Sequence, residues 1–314
     1  MSNFVNYEKQ IFHLKNEKEL IIKDDDYATK ILKDYSHFSI INAYKELFYN
    51  KAARKYNRNV TFENFVSFYN FDSQLREIFF KEFLFIEQKL KSSISYYFCE
   101  YYDSDEQNIY LDKNSYNNSP LLENMTLEVV GTLNSNINNE TKYQYINYYK
   151  ENHHNVPLWV GIKSLMFGHV SKMYSCLLPA IQTSVVKDFC ELSENDFNMI
   201  IKVITDFRNV CAHNERFYCD KSIRSSIPDT IYHEKLNIIK VNQSYKYGKQ
   251  DLFAVVIALK IILDNNRFLI FANKLEFEIN KIINETPLNK DVLLNKMGFP
   301  INWKDIIDLE SIKR

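Results

Sequence analysis

The stretch FDSQLREIFFKEFLFIEQKLKSSISYYFCEYY, residues 71–102, decides the fold. Leu75, Phe79, Phe83, Ile86, Leu90, Ile94 and Tyr97 advance along it in steps of three and four. That is the repeat of a helix with one continuous apolar face. Neither glycine nor proline interrupts it, so the backbone chemistry gives no reason to stop before Tyr102. Two acid–base pairs ride on it at i,i+4 spacing, Asp72 with Arg76 and Glu87 with Lys91. Exposed pairs of this kind add only ~0.3–0.5 kcal/mol. A carboxylate such as Glu87 turned inward would need a partner and would matter more.

Outward from this segment, helical signals continue in both directions. Residues 61–69 read as a separate short amphipathic helix. Nearer the start, Tyr7, Ile11 and Leu14 keep helical spacing, and Asp24-Asp25-Asp26 precedes a second helix carrying Tyr27, Ile31, Leu32 and Tyr35. Three carboxylates there suit a helix N-terminus far better than a metal ion. A third short helix is expected over 39–49. Residues 50–60 read as a polar linker, in which Arg54, Lys55, Tyr56 and Arg58 are candidates for RNA binding. Cations beside an aromatic ring can grip backbone and stack a base; a solvated loop is the plainer reading. Toward the C-terminus, residues 158–177 read as one helix in which Gly168 marks a close contact or a kink. Ser193-Glu194-Asn195-Asp196 resembles a capping box. The helix it opens points Phe197, Ile200, Ile201, Ile204, Phe207 and Cys211 inward. Residues 220–250 are irregular, with a short strand expected at 236–241. Helices are expected over 251–265, 267–284 and 289–296, the last closed by Gly298.

Composition agrees. A chain of 314 residues with 46% hydrophobic and 25% charged residues is an ordinary globular sequence. Five glycines and six prolines are too few for an all-β chain rich in turns, or for a glycine-rich phosphate or dinucleotide loop. The net charge of −1 gives no bulk attraction for nucleic acid, so any such interface has to be a local patch. Five cysteines, at 99, 176, 190, 211 and 219, form no C-x-x-C and suit neither a disulfide framework nor a zinc site. Reduced thiols in a cytoplasmic protein are expected. Met1 to Tyr7 shows no signal-peptide pattern. The longest apolar run, Leu252 to Leu263, is broken by Lys260 and too short to span a bilayer, so no membrane partner is expected.

The chemistry-bearing stretch is Asp206-Phe207-Arg208-Asn209-Val210-Cys211-Ala212-His213-Asn214-Glu215-Arg216. On an ideal helix at ~100° per residue, Asp206, Asn209, His213 and Arg216 share one narrow stripe. It combines an acceptor, a titrating base and a phosphate-binding cation. Arg208 diverges from His213 by ~140° on a straight helix. Either its long side chain reaches around, or the helix distorts near 212, or the site is completed across a dimer. RNA carries its own nucleophile, the 2′-OH. A histidine can handle protons near neutral pH, and an arginine binds phosphate oxygens in a fixed fork. Such a reaction needs no metal and no cofactor. A solvated, dipole-favouring helix end is the plainer reading of the same residues.

Arg208-Asn209-Val210-Cys211-Ala212-His213 resembles the R-x4-6-H signature of HEPN ribonucleases, and the stretch through Arg216 resembles the Abi-like (AbiD/AbiF) phage-resistance proteins. Other segments resemble that family in order along the chain: the opening over 7–44, FDSQLR and IEQKLK of the long helix, Pro157-Leu158-Trp159 with Phe167-Gly168, and Met297-Gly298-Phe299-Pro300-Ile301-Asn302-Trp303. The resemblance implies an all-α, HEPN-type helical bundle with N- and C-terminal helical extensions. The corresponding division is 1–58, a core of 59–219 and a packed segment of 220–314. It also implies a homodimer with a shared active site, metal-independent cleavage of an RNA substrate, and a toxin role in abortive infection. An inhibitory small non-coding RNA is an implied partner. Carried over by position, Arg208 and His213 are the catalytic pair, with Asn209, Asp206, Arg216 and Glu87 as auxiliary polar residues. Two competitors share the scaffold: a module that binds RNA or protein without cutting, and a target of nucleotidyl transfer on a tyrosine such as Tyr218.

Overall fold

The computed structural model describes residues 4–103, 108–139 and 142–310; the first three residues of the signal-peptide reading lie outside them. Helices of six residues or more, numbered in chain order, are α1 (Tyr7–Phe12), α2 (Asp25–His37), α3 (Phe62–Tyr102), α4 (Glu123–Asn138), α5 (Gln144–His153) and α6 (Phe167–Cys176). They continue with α7 (Pro179–Lys187), α8 (Glu194–Ala212), α9 (Leu252–Ile262), α10 (Asn265–Glu285) and α11 (Lys290–Met297). The described residues are otherwise turns, short helical segments and two hairpins of two-residue strands. The fold is all-α.

The organising element is α3. It replaces with one helix the two expected from sequence, because no residue around Asn70 breaks the backbone, and Thr61 starts it in a capping box. The Thr61 hydroxyl accepts from the Asn64 N–H, and the Asn64 side chain accepts from the Thr61 N–H. From there Phe62, Phe65 and Phe68 run into Phe71, Leu75 and Phe79 without a break, all of them buried. At ~1.5 Å per residue the helix is ~60 Å long. It packs against α10, α8 and α7, and the buried apolar side chains form one continuous cluster from Ile11 to Ile306. α9 is buried along its whole length, including Lys260, whose Nζ reaches the Ile307 carbonyl at 3.2 Å.

Several local expectations change. Asp24 caps α2 as expected, its carboxylate accepting from the Tyr27 N–H. The expected linker at 50–60 is a hairpin instead, pairing Tyr49 with Tyr56 and Asn50 with Lys55. The rings of Tyr49 and Tyr56 meet edge to face at 5.4 Å. The helix expected over 158–177 breaks at Leu165 and restarts at Phe167. A Cβ at Gly168 would meet nothing within 4 Å, so Gly168 marks neither a contact nor the break. The α7 helix has no counterpart in the sequence reading. The strand expected at 236–241 shrinks to Lys240–Val241, paired with Ser244–Tyr245. Gly298 does close α11, at φ +79°, where its Cα hydrogens face Asp251 and no side chain would fit.

Candidate functional site

Ser193 starts α8 by accepting from the Asp196 N–H. Phe197, Ile200, Ile201, Ile204 and Phe207 then point inward and are fully buried. The helix stops at Ala212. His213 is its cap residue, Asn214 takes the left-handed conformation at φ 54°, and the amides of Asn214 and Glu215 return to the carbonyls of Cys211 and Val210. This reciprocal pair of bonds satisfies the last carbonyls, and asparagine tolerates the left-handed turn better than most residues. The ideal-helix stripe therefore holds through Asp206 and Asn209 to the cap and ends there. Arg216 leaves it: its guanidinium donates to the Ala43 carbonyl at 3.0 Å.

Arg208 points to α3. Its Nη2 lies 3.4 Å from Glu87 Oε2, while Glu87 Oε1 accepts from Lys91 Nζ at 2.8 Å. One carboxylate thus serves two cations, and all three side chains are largely buried. Of the two readings the sequence left for Glu87, the structure takes the inward carboxylate that needs a partner. The Phe80 ring lies 5.9 Å from the guanidinium carbon, and the Arg208 Nε is buried without a hydrogen-bond partner. His213 is exposed, and its side chain forms no hydrogen bond among the described residues. The helix end therefore places a held arginine on one side and a free imidazole at its tip.

The segment after the motif is fixed by a second acid–base pair that sequence reasoning had placed in solvent. Asp72 is wholly buried. Its carboxylate accepts from Arg76 Nη1 at 2.8 Å, from the Tyr44 hydroxyl at 3.0 Å, and from the N–H groups of Phe217 and Tyr218, the latter at 2.7 Å. Arg76 Nη1 also donates to the Glu215 carbonyl at 3.1 Å. Burial pushes the Asp72 carboxyl above its ordinary range, and Arg76 and the two amides pull it back. Burial likewise pushes the Cys211 thiol up to about 12, which makes it an inert packing group. Tyr218 is buried, with its hydroxyl on Glu46 at 3.2 Å, so its ring oxygen is not offered to a modifying enzyme.

Asp206 accepts from the Ser222 hydroxyl at 2.5 Å, which ties the following loop to α8. Asn209 is exposed, and both residues line a cavity of about 440 Å³. Arg54 in the hairpin turn and Arg58 just after the hairpin are exposed, and Lys55 pairs with Glu19. Tyr56 is only 6% exposed, so its ring cannot stack on a base. No hydrogen bond or ion pair joins these four residues to Arg208 or His213. Among the described residues no group of three His, Cys, Asp or Glu side chains is arranged to hold a metal ion, and no helix is long and apolar enough to cross a membrane.

Compared with known families, residues 30–219 match the model of the family described as Abi-like protein. That span is more than half of the chain and contains α3, α8 and the whole Arg208–Arg216 stretch. No curated protein and no solved structure matches.

Proposed function

This chain belongs to the Abi-like protein family, and from that premise we propose that it is an abortive-infection ribonuclease of the HEPN type. The observation that carries the reading is the end of α8, where Arg208 is held against Glu87 while His213 stands exposed on the cap. In this mechanism the His213 imidazole takes the proton of the RNA 2′-OH as O2′ bonds to phosphorus. The P–O5′ bond breaks and the departing oxygen receives a proton from a second imidazole. The products are a 2′,3′-cyclic phosphate and a 5′-hydroxyl. Arg208 binds the phosphorane oxygens. Each proton-transfer group contributes about 10²–10⁴-fold in such reactions.

Arg208 and His213 leave α8 in different directions, and one imidazole cannot be base and acid at once. Both points favour a site assembled from two copies, each supplying one Arg208 and one His213. The test is subunit mixing. His213→Ala and Arg208→Ala proteins should each lose RNA cleavage, with a chelator present throughout. Exchanging subunits of either variant into wild-type protein should remove more activity than dilution does, because a mixed dimer lacks one of the two imidazoles or guanidiniums of its shared site. Cleavage by either single variant at the wild-type rate would end the nuclease reading. Activity that falls only in proportion to the wild-type subunits replaced would instead leave the site within one chain.

A further inference from the structure

We propose that the groove bounded by α4, α6 and α8 binds the phosphates of a single-stranded RNA and leads it to His213; this rests on the nuclease reading above. On α8, Lys202, Asp206, Asn209 and His213 succeed one another at spacings of four, three and four. They therefore lie on one side of the helix. The first three line the 440 Å³ cavity, and the fourth sits at the open end of the same row. Facing them are Lys172 and His169 of α6, and Arg224 from the loop after the motif. The Ser222 hydroxyl holds that loop in place from both sides, donating to Asp206 and accepting the Ser225 N–H at 3.2 Å.

Charge selects the ligand. The whole chain carries −1, yet this cavity gathers Lys172, Lys202, Arg224 and His169 against Glu128 and Asp206. Glu128 occupies Lys172 and His169, while Lys202 and Arg224 are exposed and have no ion-pair partner among the described residues. The cavity therefore holds a local cationic surplus, which is the local patch that a near-neutral nucleic-acid protein requires.

Shape narrows the ligand further. A second cavity, of about 540 Å³, shares Met166 and His169 with the first and extends it past Asn136 toward Lys142. The two adjoin at an exposed methionine, 66% accessible, and together make an extended groove. A groove of this kind fits an unpaired strand, with phosphates on the cations and bases against the thioether. Duplex RNA is instead read across a surface spanning about 16 base pairs.

The test measures binding of a short fluorescent RNA by anisotropy, using full-length His213→Ala protein to prevent cutting. The salt dependence is followed from ~50 to ~200 mM, each phosphate contact to a single strand contributing about 0.7 to the slope of log affinity against log salt. Adding Lys202→Gln and Arg224→Gln should reduce that slope by about 1.4 and weaken binding at least ~10-fold. Adding Arg54→Gln and Arg58→Gln, in and just after the hairpin, should change neither. A slope unchanged by the groove variant, or a larger loss from the hairpin variant, overturns the groove. So does equal binding of a blunt duplex, or no RNA binding at all. Wild-type protein that binds through the groove but never cuts would sink the nuclease reading and leave the groove standing. Wild-type cleavage with KM unchanged by Lys202→Gln/Arg224→Gln would do the reverse.

Discussion

One helix carries two acid–base pairs of identical spacing, and the molecule uses them differently. At Asp72–Arg76 the carboxylate is wholly buried and takes further donors from two other segments of chain, Tyr44 and Phe217–Tyr218. At Glu87–Lys91 the carboxylate is shared with Arg208, whose Nε has no partner. The first pair closes a polar knot around the backbone of 215–218. The second is a cluster of side chains at the root of the motif; each pair leaves one buried guanidinium nitrogen without a partner, Arg76 Nη2 at the first and Arg208 Nε at the second. Sequence spacing is the same in both cases, so what differs is the third party: backbone amides at one, a side-chain guanidinium at the other. A knot tied by amides locks a segment in place, whereas a cluster tied by a side chain can hand that side chain to a ligand.

The largest expected effect tests the knot. Asp72→Ala leaves Arg76 and two amides buried without their acceptor and should cost about 3–5 kcal/mol, read from chemical denaturation. RNA cleavage per folded molecule should change little. Glu87→Gln keeps the shape and should cost about 2 kcal/mol, yet cleavage per folded molecule should fall at least ~10-fold because Arg208 loses its charged anchor. If both variants lose activity only in proportion to unfolded protein, the two pairs are equivalent and the distinction collapses.

A third acid sharpens the contrast. Asp251 caps α9 through the amides of Gly248 and Ala254, with no cation in bonding contact among the described residues. Burial pushes its carboxyl from 3.8 up to about 7. Between those two values the folded protein holds a proton that the unfolded chain has lost, so this group makes stability fall as pH rises from about 4 to about 7. Asp251→Asn should flatten that part of a melting-temperature profile. The smallest effect belongs to the exposed Lys296–Glu46 bridge at 3.1 Å. Lys296→Ala should shift stability by less than about 1 kcal/mol.

The apolar periodicities were legible because burial leaves a period on the chain: Phe79, Phe83, Ile86 and Leu90 are all inward, as are Phe197, Ile200, Ile204 and Phe207. Asp24 and Gly298 were legible because caps have strict chemical needs. The partners of polar residues were not. Asp72 and Lys296 both look like solvated charges in a linear sequence, and only tertiary contacts separate them. The stripe through Arg216 failed for a local reason. Asn214 ends the helix through a left-handed turn, and asparagine is equally at home in a polar helix end. The cationic groove was missed because Lys172, Lys202 and Arg224 come from three separate segments that no single window samples together.

The continuity of α3 has an evolutionary corollary. Asp72 and Glu87 are set by one uninterrupted ruler, about 22 Å apart along its axis. Deleting one residue between Arg76 and Glu87 would swing Glu87 by ~100° away from Arg208 while Asp72 stayed in its knot. Inserting seven would nearly restore the phase, within ~20°, but move the anchor by ~10 Å. Lineages of this family should therefore exchange exposed side chains along that interval and almost never its length. Insertions and deletions should collect instead at hairpin tips such as 51–54, where no distance is being measured.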